Sequence, residues 1–206
     1  QYLWKLKTQP DPTTLSDFKK SLNISDTFLS LLVQKGIRNR LQAEAFFNPN
    51  IQGLHNPFLM KDMDRAVDRI NLAKSTGEKI MVYGDYDVDG TTAVALFSAF
   101  LEKHYPHVIT YIPDRYKEGY GVSQAGIDCA AQEKVSLIVA LDCGIKALDK
   151  VDYAKQKGID FIICYHHTPG DTLPAAVAVL DPKRHDCIYS YTGLRDFCVV
   201  FKLFQV

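Results

Sequence analysis

From residue 79 onward the sequence alternates between short runs of apolar, β-branched residues and longer amphipathic stretches, and this constrains the fold more than any other feature. Apolar runs at 80–83, 108–112, 137–141 and 161–164 predict strands, with 176–180 as a fifth. Between them, 92–104, 123–133 and 147–157 have helical spacing. The first places Val94, Phe97 and Leu101 on one side with Ala93, Leu96 and Phe100 beside them. The intervals are long enough for the crossovers that parallel strands require. Strands that are apolar throughout are covered on both faces. The expected fold is α/β, a doubly wound, mainly parallel sheet, preceded by a helical N-terminal segment.

That segment, 1–78, predicts a helix from a Ser16 cap to Leu22, another from a Ser25 cap to Gln34, and a short one over 41–47 closed by Asn48 and Pro49. Gly53 to Pro57 reads as a linker. Apolar residues at Met63, Ala66, Val67, Ile70 and Ala73 predict a helix over 62–75 that Gly77 ends. A chain of 206 residues, 47% hydrophobic, can bury a substantial core, which excludes disorder, collagen-like repeats and coiled coil. Lys+Arg and Asp+Glu both number 24, so a strongly basic DNA-coating protein is excluded and any nucleic-acid site must be a local patch. No stretch has the ~18 apolar residues of a membrane span, and there is no basic-then-apolar leader; no membrane association and a cytoplasmic location are expected. The five cysteines, 129, 143, 164, 187 and 198, form no Cys-x-x-Cys pair and read as reduced, mostly buried thiols.

In open α/β sheets the chemistry sits beyond the carboxyl ends of the strands. The first strand is followed by Gly84-Asp85-Tyr86-Asp87-Val88-Asp89-Gly90-Thr91-Thr92, the third by Asp142-Cys143-Gly144, the fourth by Tyr165-His166-His167. All three should converge on one edge of the sheet. Three carboxylates so close together need cations to offset their repulsion. Asp oxygens suit Mg²⁺ and Mn²⁺, and added imidazole favours Mn²⁺ or another transition ion. Such a set could hold two ions about 3.5–4 Å apart, the spacing used in phosphoester hydrolysis.

Three other readings compete. Asp85-x-Asp87-x-Asp89-Gly90 matches the start of an EF-hand loop, but Leu96 occupies the twelfth position, where a carboxylate is needed, and a strand precedes it. Asp87-Val88-Asp89-Gly90-Thr91 resembles the nucleophile motif of haloacid-dehalogenase-type phosphatases. There the nucleophile follows its strand directly, and Asp142 and the histidine pair would have no role. An acidic solvated turn accounts for Asp85 to Asp89 but not for polar clusters at successive strand ends. His55, His104, His107 and His185 stand singly and read as surface residues.

Asp85-Tyr86-Asp87-Val88-Asp89-Gly90, Asp142-Cys143-Gly144 and the histidine pair before Thr168-Pro169-Gly170 resemble the first three motifs of the DHH phosphoesterases. Tyr83-Gly84-Asp85, Pro113-Asp114-Arg115, Glu118-Gly119-Tyr120-Gly121 and Asp181-Pro182-Lys183-Arg184 bring the text closer to the family's single-strand-specific 5′→3′ DNA exonucleases, over nearly the whole chain. The resemblance implies a hydrolase with two divalent ions, Mn²⁺ or Mg²⁺, acting on single-stranded DNA in repair and recombination, with DNA repair proteins as further partners. It implies that Asp87 and Asp89 each bind an ion and that Asp85 is a ligand or supports one. Asp142 would bridge both ions, His166 would be a ligand and His167 would face the scissile phosphate; Asp142, His166 and His167 form the catalytic set. Arg115, Tyr116 and Tyr120 are substrate-contact candidates, since Arg grips phosphate and an aromatic ring stacks a base, although that loop reads equally as a polar lid. Lys183 and Arg184 read as solvated rather than as backbone contacts.

Three departures from the family pattern stand out. Its third motif is Asp-His-His, and Tyr165 replaces the Asp; the loss of such an outer partner costs 10–100-fold in metal affinity or activity. A Tyr hydroxyl could accept a bond from an imidazole N–H there. Before Phe201-Lys202-Leu203 the family has Ser-Gly-x-Gly, where this chain reads Gly193-Leu194-Arg195-Asp196-Phe197-Cys198-Val199-Val200; the bulk is expected to block substrate or distort the segment. The fourth motif, with a further ligand Asp, is expected beyond Val206, so 79–206 reads as a DHH domain cut before that motif. Alternatives to the exonuclease are a DHH phosphodiesterase for short oligonucleotides or cyclic dinucleotides, and a non-catalytic relative that binds nucleic acid or protein.

Overall fold

A computed structural model describes residues 3–206. Packing divides the chain into two compact units, Gln1–Leu54 and His55–Val206. The first holds α1 (Pro12–Ser21), α2 (Asp26–Gln34) and α3 (Arg40–Phe47) around Phe18, Leu29, Leu32 and Ala43. α1 starts earlier than the expected Ser16 cap. Asp11 takes the cap position and accepts a hydrogen bond from the Thr14 N–H, and Pro12 fills the first helical position, where no N–H is needed. Asn39 caps α3 through the Gln42 N–H at 2.9 Å.

The second unit runs α4 (Met63–Thr76), β1 (Lys79–Gly84), α5 (Val88–Glu102), β2 (Val108–Tyr111), α6 (Gln124–Gln132), β3 (Val135–Leu141), α7 (Leu148–Gln156), β4 (Asp160–Cys164), β5 (Ala178–Leu180) and α8 (Asp196–Phe204). The five strands are all parallel in the order β2-β1-β3-β4-β5. Alternate strand residues serve different layers, as a period of two requires. Ile80, Val82, Leu137, Val139, Leu141 and Ile162 pack with Ala66 and Ile70 of α4, Phe97 of α5 and Val199 of α8. Met81, Tyr83, Ile138, Ala140, Phe161 and Ile163 pack with Ile127 of α6 and Val151 and Ala154 of α7. This is the doubly wound sheet expected from the alternation.

α4, grouped by the sequence with the N-terminal segment, packs on the sheet instead. Its Arg69 lies in a three-way tie, 2.6 Å from Asp160, 2.6 Å from Glu78 and 3.3 Å from the Ser136 carbonyl, which joins α4 to the starts of β3 and β4. Arg184, expected to be solvated, is 8% exposed. Its guanidinium donates to Asp62 (2.7 Å), to the Val179 carbonyl (2.6 Å) and through two nitrogens to Asp186 (2.9 and 2.8 Å). It is a clamp between the start of α4 and β5. Lys183 is exposed, as expected. Of the segment expected to be distorted, 193–200, the part from Asp196 onward belongs to a regular helix, α8, with Val199, Val200 and Leu203 buried and Phe204 stacked on Phe97 and Phe100 at 5.6 and 4.4 Å. Its apolar residues recur at helical spacing and drive that packing. All five cysteines are free thiols, with Cys143 and Cys164 buried and the other three half-buried. No helix among the described residues is long and apolar enough to cross a membrane.

Candidate metal centre

In this strand order the crossover after β1 leads to β2 on one side, whereas the crossover after β3 leads to β4 on the other. The crevice between the carboxyl ends of β1 and β3 is therefore the sheet's topological switch point. Asp85 follows one of these strands and Asp142 the other. The chain turns sharply after β1 because α5 begins at Val88, four residues before the start that helical spacing predicts. Asp87 is its cap, accepting from the Gly90 N–H at 2.9 Å, and Asp89 lies in its first turn. Half of the acidic run is therefore held by helix geometry rather than by a loop. Gly90 makes this possible: a Cβ there would come within 2.5 Å of the Asp85 carbonyl oxygen and 2.7 Å of its nitrogen. Gly90→Ala is expected to push the Asp85–Asp87 turn away from α5 and destabilise the domain by about 1–3 kcal/mol. Urea denaturation measures this, and an unchanged midpoint would mean that the close approach carries no weight.

Asp142 ends β3 with φ 58, a left-handed conformation that Asp adopts more readily than bulkier residues, and its N–H donates to the Cys164 carbonyl at 3.1 Å. Tyr165 extends β4 through its N–H to the Leu180 carbonyl (2.9 Å), which fixes the following His166 at the same edge. His166 is buried and His167 exposed, with their rings 3.9 Å apart. Asp142, His166 and His167 each offer a ligand atom, all within 4.8 Å of one another. His166 Nε2 lies 3.8 Å from Asp142 Oδ1 and 3.9 Å from Asp89 Oδ2. Asp87 reaches Asp142 as well. The structure thus gathers Asp87, Asp89, Asp142, His166 and His167, with Asp85 buried behind Asp87.

The electrostatics are those of a crowded acidic site. Burial, with Asp87 and Asp89 adding repulsion, pushes Asp142 up to about 6. Burial raises Asp85, whose Oδ1 has no hydrogen-bond partner, and lowers His166, favouring the neutral imidazole. Carboxylate oxygens and a neutral imidazole nitrogen without partners suit a hard or borderline divalent cation. These residues fit Mn²⁺ or Mg²⁺.

One residue was missed. Asp196, at the first turn of α8, is fully buried, and its Oδ2 lies 2.9 Å from His166 Nε2. Burial and the neighbouring Asp142 hold its carboxyl far above the ordinary range. Only its place ahead of an apolar helical pattern could have signalled it. Beside it, Arg195 lies 3.8 Å from Asp89. The Tyr165 hydroxyl meets that of Tyr120 rather than His166, while its ring lies edge-on to His167 at 5.3 Å and tilted against His166 at 6.3 Å. Arg115 sits over the Tyr86 ring at 5.0 Å, and Tyr86 meets Tyr120 edge-on at 6.3 Å. Arg115 and Tyr120 thus reach the rim of the centre, whereas Tyr116 is 96% exposed and joins none of the described ring contacts. Tyr120, Cys143, Gly144, Lys146 and Tyr165 line an open cleft of about 240 Å³.

The sequence profile of the DHH family, N-terminal domain, matches residues 79–205. The chain belongs to the DHH family. Among curated relatives of this DHH chain, the single-stranded-DNA-specific exonuclease RecJ of Bacillus subtilis is 38% identical over 97% of the chain, which spans 25% of that protein. Among solved structures, exonuclease RecJ bound to manganese matches at TM-score 0.62 and 30% identity, over 70% of this chain and 36% of that one. RecJ of Thermus thermophilus in complex with Mn²⁺ matches at TM-score 0.71 over 96% of this chain and 28% of that one; at 22% identity it speaks for the fold alone.

Proposed function

We propose that this DHH domain carries the metal centre of a phosphodiesterase that degrades single-stranded DNA from its 5′ end. The observation that carries this is the convergence of Asp142, His166 and His167 with Asp87 and Asp89 at the switch point of the sheet. The names of the relatives, single-stranded-DNA-specific exonucleases, and a manganese-bound neighbour structure support it. Asp142, with Asp87 and Asp89 on the β1 side and His166 on the β4 side, would hold the divalent ions, and Asp85 would support Asp87. Divalent ions at such a centre polarise the phosphate and make water a nucleophile at neutral pH.

The chain's own residues supply the rest. His167 is exposed next to the buried His166 and is placed to donate to a phosphate oxygen. Tyr120, 63% exposed, offers a face on which an unpaired base can stack, and Arg115 beside Tyr86 supplies charge for the backbone. Duplex bases are already stacked and paired, so an aromatic rim favours single strands. The setting that follows is cytoplasmic DNA repair and recombination, alongside other repair proteins.

The test is hydrolysis of 5′-labelled single-stranded DNA at millimolar Mn²⁺, with duplex DNA and a cyclic dinucleotide in parallel. Labelled mononucleotide from the single strand alone is expected. Cleavage of the cyclic dinucleotide without the single strand would replace this reading with that of a small-substrate phosphodiesterase. Metal binding with no hydrolysis of any substrate would leave a binding protein.

A further inference from the structure

We propose that Asp196 is a ligand of the divalent centre, carried into it by α8; this rests on the metal centre proposed above. Asp196 is fully buried, and neither of its carboxyl oxygens has a hydrogen-bond partner. His166 Nε2, also buried, has none either, although Asp196 Oδ2 lies 2.9 Å away. At that distance a hydrogen bond would be ordinary, but the two atoms are not aligned for one. They are turned towards common space. In an octahedral shell with bonds of about 2.1 Å, adjacent ligand atoms lie about 3 Å apart and opposite ones about 4.2 Å. From His166 Nε2 the 2.9 Å to Asp196 is close to the adjacent spacing, while the 3.8 and 3.9 Å to Asp142 and Asp89 lie between the two spacings.

Two other uses for the carboxyl fail. It does not cap α8, since the cap residue is Arg195 and no side chain makes the capping bond. Nor does a charge partner explain its burial. Arg195 lies against Asp89 and is 63% exposed; Asp89 repels the carboxyl, and Asp142, also an acid, can share a proton with it but brings no positive charge. Burying an unpaired carboxyl is costly unless a cation or proton neutralises it. Tyr165 removes one carboxyl from the third motif, and Asp196 brings one to His166 from the start of α8.

The readout is Mn²⁺ affinity by calorimetry, without substrate. Asp196→Asn keeps the shape and is expected to weaken Mn²⁺ binding by roughly 10-fold or more, as loss of a metal-supporting residue does. Its metal-free melting temperature should equal or exceed that of the wild type, because an unneutralised buried carboxyl is gone. Bound Co²⁺ should show a changed visible spectrum, reporting a changed ligand set. Asp196→Ser, a good residue at a helix start, repeats the measurement if the Asn variant folds poorly. Unchanged Mn²⁺ affinity, or weaker binding with an unaltered Co²⁺ spectrum, would overturn the assignment while leaving the centre in place. A wild-type chain that binds no Mn²⁺ would overturn both.

Discussion

Replacing Asp142 with Asn should abolish phosphodiesterase activity, by roughly 10²–10³-fold or more, while raising the stability of the metal-free protein. The two effects have one cause. Asp142 is buried among Asp87, Asp89 and Asp196, where its negative charge serves a cation; without one, burial and repulsion from Asp87 and Asp89 outweigh proton sharing with the Asp196 carboxyl. Losing the ligand removes several kcal/mol of charge stabilisation from the reaction. The pH dependence follows from the same group. An Asp in the unfolded chain loses its proton near pH 4, whereas in the folded protein Asp142 keeps it to about 6. Between these values the folded state binds more protons, so Asp142 contributes a loss of stability as pH rises from about 4 to about 6. The variant lacks this slope. Its advantage in melting temperature over the wild type, in chelator, should be negligible near pH 4, grow through pH 6 and stay level above. Saturating Mn²⁺ should reverse the order at neutral pH, since only the wild type gains from binding. A flat difference across pH would show that Asp142 does not titrate as its surroundings require.

Arg184→Ala should be the most destabilising single change, at about 3–5 kcal/mol, because it strips a buried charge of its partner. The guanidinium that joins Asp62, the Val179 carbonyl and Asp186 is lost, and Asp62, at 9% side-chain exposure, keeps only the exposed Arg65 at 3.5 Å and the Val179 N–H. Asp62 also has φ 65, a backbone conformation this contact helps to hold. Guanidinium denaturation of variant and wild type gives the difference. A loss below about 1 kcal/mol, the range of an exposed pair, together with weaker DNA binding would instead make Arg184 a phosphate contact.

The sheet and its polar ends were legible because two signals agreed. Apolar runs such as 137–141 have no period-two polarity, which only a strand covered on both faces tolerates, and each was followed at once by acidic or imidazole groups. The helix starts were less legible. α5 begins inside the acidic run because Asp87 caps it, so residues that read as a loop are partly a helical turn. Arg184 looked solvated because its acidic partner Asp62 is 122 residues away, a pairing that no local pattern reveals. Asp196 was hidden differently: family likeness drew notice to the lost glycines and to a ligand expected further along. The carboxyl that reaches His166 belongs to the altered segment itself. Tyr165 was foreseen as a departure, but its turn towards Tyr120 depends on a loop that approaches only in the folded chain.

The left-handed backbone at Asp142 also limits which inactive descendants this domain can leave. Most residues at φ 58 clash with their own carbonyl, while Asn and Gly enter that region readily. A lineage released from selection for hydrolysis but still selected for a folded domain would therefore drift at this position mainly to Asn or Gly. Ala or Glu there would carry about 1–2 kcal/mol of backbone strain as well as losing the chemistry.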